Sequence, residues 1–292
     1  MDRRWNRSLI VVLLLTAGLP ATGMAHQPVM DMAPRWQGGI GFQVRNEYRF
    51  SDDLLSGDSD VSNPLGRDRR VNTTWLEGVY TFKRELRVTA KIPWVEQSRV
   101  VIQNGAPRKQ TGSGIGDSIL GLQIKHYYNR AASTGNFGLT PSIRFPTGST
   151  GDAYPVGDGS WDVGVSASFS AEMAHLYQFY DLFYWHNSKG DRGIDAGDEF
   201  GLDVNIGVHP YHDNLHNVGI FVMGDLPARY QGPGTDTAGR TGGKLISLGP
   251  VLVGYWNNIM LRTEVKFPAY ENVFGEQVSR GIDFNVGLGV TF

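Results

Sequence analysis

The chain has 292 residues with 27 Lys and Arg against 29 Asp and Glu, and it contains no cysteine. This near-neutral balance argues against nucleic acid as a partner, and the lack of thiols excludes disulfides, thiolate metal sites and a lipid-modified N-terminal Cys. The 38 glycines, well above the usual share of about 7%, and a mean hydropathy of −0.26 suit a chain that is apolar only at alternate positions.

The first segment carries Arg3, Arg4 and Arg7, then the apolar run Leu9 to Leu15, then the small-residue stretch Ala21-Thr22-Gly23-Met24-Ala25. This layout predicts a secretory signal over residues 1–25, cleaved after Ala25. Its apolar run is too short to span a bilayer, and no later segment approaches the ~20 apolar residues of a membrane helix. If the chain crosses a membrane it must do so as strands, because lipid offers no partner for a free backbone N–H or C=O. With no Pro/Ser-rich linker in the sequence, the remainder reads as a periplasmic tail over residues 26–35 and one barrel domain over 36–292.

In the first strand Ile40, Phe42, Val44, Tyr48 and Phe50 alternate with Gly41, Gln43, Arg45, Glu47 and Arg49, and Asn46 is the one exception. A period of two places such residues on opposite faces of a sheet. Further strands are expected at Asn72 to Phe82, Leu86 to Ser98, Ile115 to Tyr128, Phe137 to Pro146 and Ser160 to Ala171. They continue at Leu176 to His186, Phe200 to His209, Val218 to Leu226, Lys244 to Trp256 and Ile259 to Pro268. The last, from Ile282, sets Ile282, Phe284, Val286, Leu288, Val290 and Phe292 against Asp283, Asn285, Gly287, Gly289 and Thr291. The fold class expected is therefore all-β: a transmembrane, antiparallel, up-and-down β-barrel of about twelve strands.

The connections alternate in length. Those at Ser51 to Asp68, Val101 to Gly114, Thr147 to Gly159, Asn187 to Glu199, Pro227 to Gly243 and Ala269 to Val278 are long, and the others are mostly short. Long loops outside and short periplasmic turns place the chain in the cell outer membrane, among its lipid and lipopolysaccharide. Trp75, Trp94, Trp161 and Trp185 at outer strand ends, with Trp36 and Trp256 at inner ones, are expected to form two aromatic girdles. A soluble β-sandwich also alternates, but here the apolar face persists on nearly every strand. The terminal Phe292 resembles the signal read by the outer-membrane barrel assembly machinery.

The stretch Phe145-Pro146-Thr147-Gly148-Ser149-Thr150-Gly151-Asp152, followed by Gly157-Asp158-Gly159-Ser160-Trp161-Asp162-Val163-Gly164, resembles a family of outer-membrane barrels, the MetA-pathway phenol-degradation transporters. Thr111-Gly112-Ser113-Gly114-Ile115-Gly116-Asp117 is similar to a second family segment. The resemblance implies a channel for small organic molecules without identifying the substrate; the solutes expected include hydrophobic or aromatic compounds, and neither a cofactor nor catalysis is expected. It carries over no binding residues.

By alternation Arg45, Glu47, Arg49, Arg87, Lys91, Arg144, Asp162, Asp203, Arg262, Glu264, Lys266 and Asp283 point into the lumen. There they either line a water path or fill the barrel as ion pairs. On Leu176 to His186 both faces carry aromatics; if the face of Asp181 is luminal, Tyr177, Phe179, Phe183 and Trp185 give the lumen a greasy wall. Gly112, Gly114 and Gly116 do not have phosphate-loop spacing, and no helix follows them.

Two other chemistries are weighed. Trp185-His186-Asn187-Ser188-Lys189-Gly190 resembles the H-x-S-N-G motif of outer-membrane phospholipase A, with Lys189 in place of the motif's Asn. His186 could activate Ser188 with Asn205 as a candidate orienting group, although a chance occurrence at a strand end is the preferred reading. His26, Met30 and Met32 in the tail and His209, His212 and His216 in a periplasmic turn offer imidazole and thioether groups suited to copper or zinc. Isolated histidines in polar turns are the plainer account.

Overall fold

The computed structural model describes residues 34–130, 133–173, 175–213, 216–236 and 239–292. The expected signal, and His26, Met30 and Met32 of the tail, lie outside them. No helix among the described residues is long and apolar enough to cross a membrane.

The chain forms sixteen strands among the described residues: β1 (Ile40–Ser51), β2 (Leu54–Ser56), β3 (Ser59–Val61), β4 (Arg69–Lys83), β5 (Leu86–Gln103), β6 (Ala106–Ile115), β7 (Ser118–Arg130), β8 (Ser133–Phe145), β9 (Asp162–Met173), β10 (Leu176–His186), β11 (Glu199–Asp213), β12 (Val218–Asp236), β13 (Gly239–Trp256), β14 (Ile259–Val273), β15 (Glu276–Val278) and β16 (Ile282–Thr291). β15, β2 and β3 make a small sheet of their own. The other thirteen form one antiparallel sheet that closes where β1 pairs with β16 from Gly41↔Thr291 to Phe50↔Ile282. β6 and β7 together make a single stave, since β5 pairs with β7 along Leu86 to Lys91 and with β6 from Trp94 onward. The wall is thus a closed barrel of twelve staves in up-and-down order.

Closure satisfies the ladder hydrogen bonds of every stave, the condition that hydrocarbon imposes. The side chains follow the same logic. Val44, Leu76, Leu139, Leu182, Ile206, Leu252 and Val286 all face outward and are exposed, a continuous apolar band that only lipid would cover. The polar exception Asn46 also faces outward, where its amide donates to Asn72 Oδ1 at 2.8 Å and Thr74 Oγ1 at 3.1 Å.

Two expectations need correction. The stretches Val101 to Gly114 and Pro227 to Gly243 are not open loops. The first is the tip of the β5–β6 hairpin around Asn104-Gly105, both with positive φ, and the second belongs to the outer halves of β12 and β13. Gly and Pro read as breakers, yet here they sit within long twisted ribbons that stand clear of the membrane: β12 has 19 residues, about twice the 9–11 that a membrane strand needs. Second, Trp75 and Trp185 do not join a girdle. Both line the interior, whereas Trp94, Trp161, Trp36 and Trp256 face outward. The inner face also carries apolar residues: toward the end with the short turns Phe221, Met223, Val251, Val253, Tyr255 and Met260 turn inward with Tyr177 and pack as a buried cluster.

If the band around Val286 is lipid-facing, Val286→Arg should lower the folding stability measured by urea titration in lipid vesicles by about 2–4 kcal/mol, the cost of a cation near the bilayer midplane on a barrel's outer face. Unchanged stability would put that face in water.

Candidate functional site

The barrel encloses a cavity of about 1250 Å³. Its two sides differ in chemistry because different strands supply them. On β1, β4, β14 and β16 the inward residues are charged and matched. Arg45 bonds Glu77 at 3.0 Å and approaches Glu47 at 3.4 Å, while Arg49 reaches Glu47 and Asp283 at 3.1 Å each. Arg262 meets Glu264 at 2.8 Å, and Lys266 joins Glu264 to Asp225, the latter at 2.9 Å. Arg280 adds a contact to Asp283 at 3.4 Å. Lys266 holds the two buried carboxylates of Glu264 and Asp225, so removing it strands buried charge and costs about 3–5 kcal/mol.

The opposite side, on β8, β9 and β10, is small, hydroxylic and aromatic. Ser166, Ser168 and Ser170 alternate along β9, beside Phe179, Asp181, Phe183 and Trp185 on β10. The ambiguity of β10 is resolved by burial: Leu182 and Tyr184 are exposed to the outside, so the face of Asp181 is luminal. Arg229 stacks on Phe183 at 4.6 Å while bonding Asp203 at 2.6 Å, and Arg144 stacks on Trp185 at 4.5 Å while bonding Asp162 at 3.1 Å. Each guanidinium is thus held by an acid and lies over an aromatic face.

Arg45, Glu47, Arg49, Arg87, Lys91, Arg144, Asp181, Asp203, Arg262, Glu264, Lys266 and Asp283 all line this cavity. Asp162 does not. It is completely buried, accepting from Ser160 Oγ at 2.7 Å and the Ser188 amide at 2.9 Å behind Arg144. Glu77, Trp75, Lys125 and Arg229 are wall residues that sequence reasoning misses. Alternation from Trp75 points to Glu77, but Pro227 conceals Arg229 within an expected loop.

The outer mouth is roofed. β5 and β12 stand on opposite sides of the barrel, yet Arg99 Nη1 and Asp236 Oδ2 meet at 2.5 Å. Arg99 also stacks on Tyr154 at 4.1 Å, and Gln97 donates to the Pro155 carbonyl at 2.6 Å. Tyr154 belongs to the segment between β8 and β9, the Gly-rich stretch that begins at Phe145, and it rests on the second such stretch at Thr111 to Asp117. A Cβ at Gly112 would overlap the Tyr154 carbonyl oxygen, so only glycine lets the backbones approach. Asp117 clamps the same segment, accepting from the Gly148 amide at 2.8 Å and the Asp158 amide at 3.1 Å.

The structure does not bring the candidate hydrolase residues His186 and Asn205 together. His186 lies on the outer face and bonds Asp198 Oδ1 at 2.9 Å. Hydrogen bonding from the Tyr184 hydroxyl holds that carboxyl below the usual range. Asn205 is buried opposite Phe179, seven residues or roughly 23 Å down the strand from His186 at 3.3 Å per residue. Of the turn histidines, His209 and His212 come together with their ring centroids 6.1 Å apart, while His216 stands away from them. His216 pairs with Asp213 at the surface at 2.7 Å. His209 and His212 turn inward across a bulge, and His209 packs on Phe221 at 4.3 Å. Among the described residues no three His, Asp or Glu side chains are grouped to hold a metal ion.

A closed barrel with an apolar belt and a partly filled charged lumen defines a membrane-spanning β-barrel. The chain belongs to the family described as putative MetA-pathway of phenol degradation, whose model matches residues 51–278. It is similar in structure to the COG4313 outer membrane channel from Pseudomonas putida F1, with a TM-score of 0.67 and 16% identity over 88% of this chain and 96% of that one. The β-domain of the Bordetella autotransporter BrkA scores 0.46 at 11% identity, covering 88% of this chain and all of that one. A CymD monoaromatic hydrocarbon channel scores 0.42 at 8% identity, with 88% and 89% covered. At these identities the likeness is one of fold. Among curated proteins no relative matches the chain.

Two outcomes are expected. Tyr154→Ala should raise single-channel conductance in planar bilayers, and Asp236→Asn should do so less; unchanged conductance in both would move the constriction elsewhere. Folded protein should release no fatty acid from phospholipid with or without calcium, and release that vanishes in Ser188→Ala would restore the hydrolase reading.

Proposed function

We propose that the protein is an outer-membrane channel for small aromatic molecules, acting by passage and not by catalysis. The observation that carries this reading is the ladder Tyr177, Phe179, Phe183 and Trp185 on the luminal face of β10. Aromatic faces on an otherwise polar wall give a planar apolar solute a place to rest between steps, while the neighbouring serines and Asp181 accept or donate to its hydroxyl. Family membership over residues 51–278 supports the same reading. Twelve staves lie between the smallest barrels, which side chains fill, and the 16-stranded porins with open aqueous bores; slow, selective passage is the corresponding behaviour.

The remaining parts of the reading concern placement. The chain is exported by a signal cleaved after Ala25, its domain boundaries fall at 25 and 35, and Phe292 is the handle for barrel assembly. Its surroundings are outer-membrane lipid and lipopolysaccharide. The charged residues of the lumen serve as lining, with the ion pairs keeping the bore narrow.

Proteoliposomes tested with a small phenolic and with a sugar of similar mass should admit the phenolic faster, and Phe183→Ala should slow it. Equal uptake of the two solutes, or indifference to Phe183→Ala, would refute the aromatic ladder as the selective element.

A further inference from the structure

The cavity is lined by twelve Lys and Arg side chains but only eight Asp and Glu, although the whole chain carries a net charge of −2. The excess is not spread evenly. On the β1, β14 and β16 side Arg45, Arg49, Arg262 and Lys266 each have a carboxylate against them. Along β5 and the turn before it the pattern changes: among the described residues Arg84, Arg87 and Lys91 each lack a carboxylate within salt-bridge distance. Arg84 stacks on the Tyr127 ring at 4.3 Å. Arg87 Nη2 donates to the Tyr127 hydroxyl at 2.6 Å, an uncharged partner. Lys91 faces Glu77 in register and close enough to feel its charge, but the hydrogen bonds of that acid go to Arg45.

Arg87 is the telling residue. It is 2% exposed, yet it lines the cavity and its Nε has no hydrogen-bond partner among the described residues. A guanidinium so far from water, with a donor unused and no acid beside it, has a large unmet demand for negative charge. Lys91 is four residues further along the same strand and therefore on the same face, and it lines the same cavity as Phe179 and Phe183. Cations in excess of the acids in a narrow pore focus the field and favour anions, and the guanidinium fork matches a carboxylate.

We infer that the channel selects small aromatic carboxylates, with Arg87 and Lys91 drawing the carboxylate and Phe179 and Phe183 holding the ring. This inference rests on the reading of the lumen as an aromatic-solute channel, and it adds a sign of charge to it. Benzoate would be favoured over benzamide, which has nearly the same shape and no charge.

The test uses full-length folded protein. In planar bilayers under a potassium chloride gradient, the reversal potential should show chloride preferred over potassium by about fivefold or more, as expected of a pore whose exposed charge is cationic. Proteoliposomes should take up benzoate faster than benzamide. Arg87→Gln with Lys91→Gln should bring both ratios close to one, and Lys91→Gln alone should do so partly, whereas Lys91→Arg should retain the preference. Should the double variant not fold, as judged by its unheated gel mobility, the contrast between Lys91→Gln and Lys91→Arg decides. Benzamide passing as fast as benzoate through the parent would overturn the charge selectivity while leaving an aromatic channel intact. Uptake of neither, together with exclusion of the phenolic, would overturn both.

Discussion

A peptide group in hydrocarbon must find its hydrogen-bond partner within the protein, and the pairing of β1 with β16 is how this chain meets that demand for its whole wall. Without that last ladder, two edges would lie open in lipid at a cost of several kcal/mol per unpaired group. Closure also creates the inside. Once the sheet is a tube, alternate residues have nowhere to point except at one another, and the chemistry of the lumen becomes a matter of which strands carry which inward residues.

Those strands divide the work. β1, β4, β14 and β16 carry opposite charges close enough to neutralise one another, so this side supplies bulk and rigidity. β8, β9 and β10 carry serines and rings, with Arg144 and Arg229 lying over two of the rings. Below them, the apolar cluster around Phe221 and Val253 narrows the end with the short turns. The roof made by Arg99, Asp236 and Tyr154 narrows the other. Between these two constrictions the composition of the wall, more than its width, decides what can dwell there.

Much of this is legible from period-two alternation, because an outward side chain in a membrane barrel must be apolar and its neighbours are then inward by geometry. Arg45, Glu264 and Asp283 are placed on that ground alone. Alternation fails where both faces share a character. On β10 aromatics stand on both sides, and only the exposure of Leu182 and Tyr184 resolves the register. On β12 and β13 the inward Phe221, Met223 and Val253 mimic lipid-facing residues. Tryptophan misleads for a related reason: Trp75 and Trp185 have the right depth for a girdle but the wrong parity, and each is held inside near an arginine. The outer hairpins escape detection because Pro227 and the glycines beyond it read as turns, whereas a long ribbon in water tolerates them.

The ion pairs also bear on assembly. Arg49 and Glu47 come from the first strand of the barrel and Asp283 from the last, with Arg280 just before it; the contacts of Arg49 with Asp283 and of Arg280 with Glu47 straddle the seam. In an open sheet the first two groups stand apart from the last two, and both pairs are solvated. They lose water and acquire partners in the same event, when the seam is zipped. The cost of burying charge is therefore deferred to the final step of insertion, and the electrostatic gain arrives with it, so a barrel that has closed has little reason to reopen along the line where it was sewn.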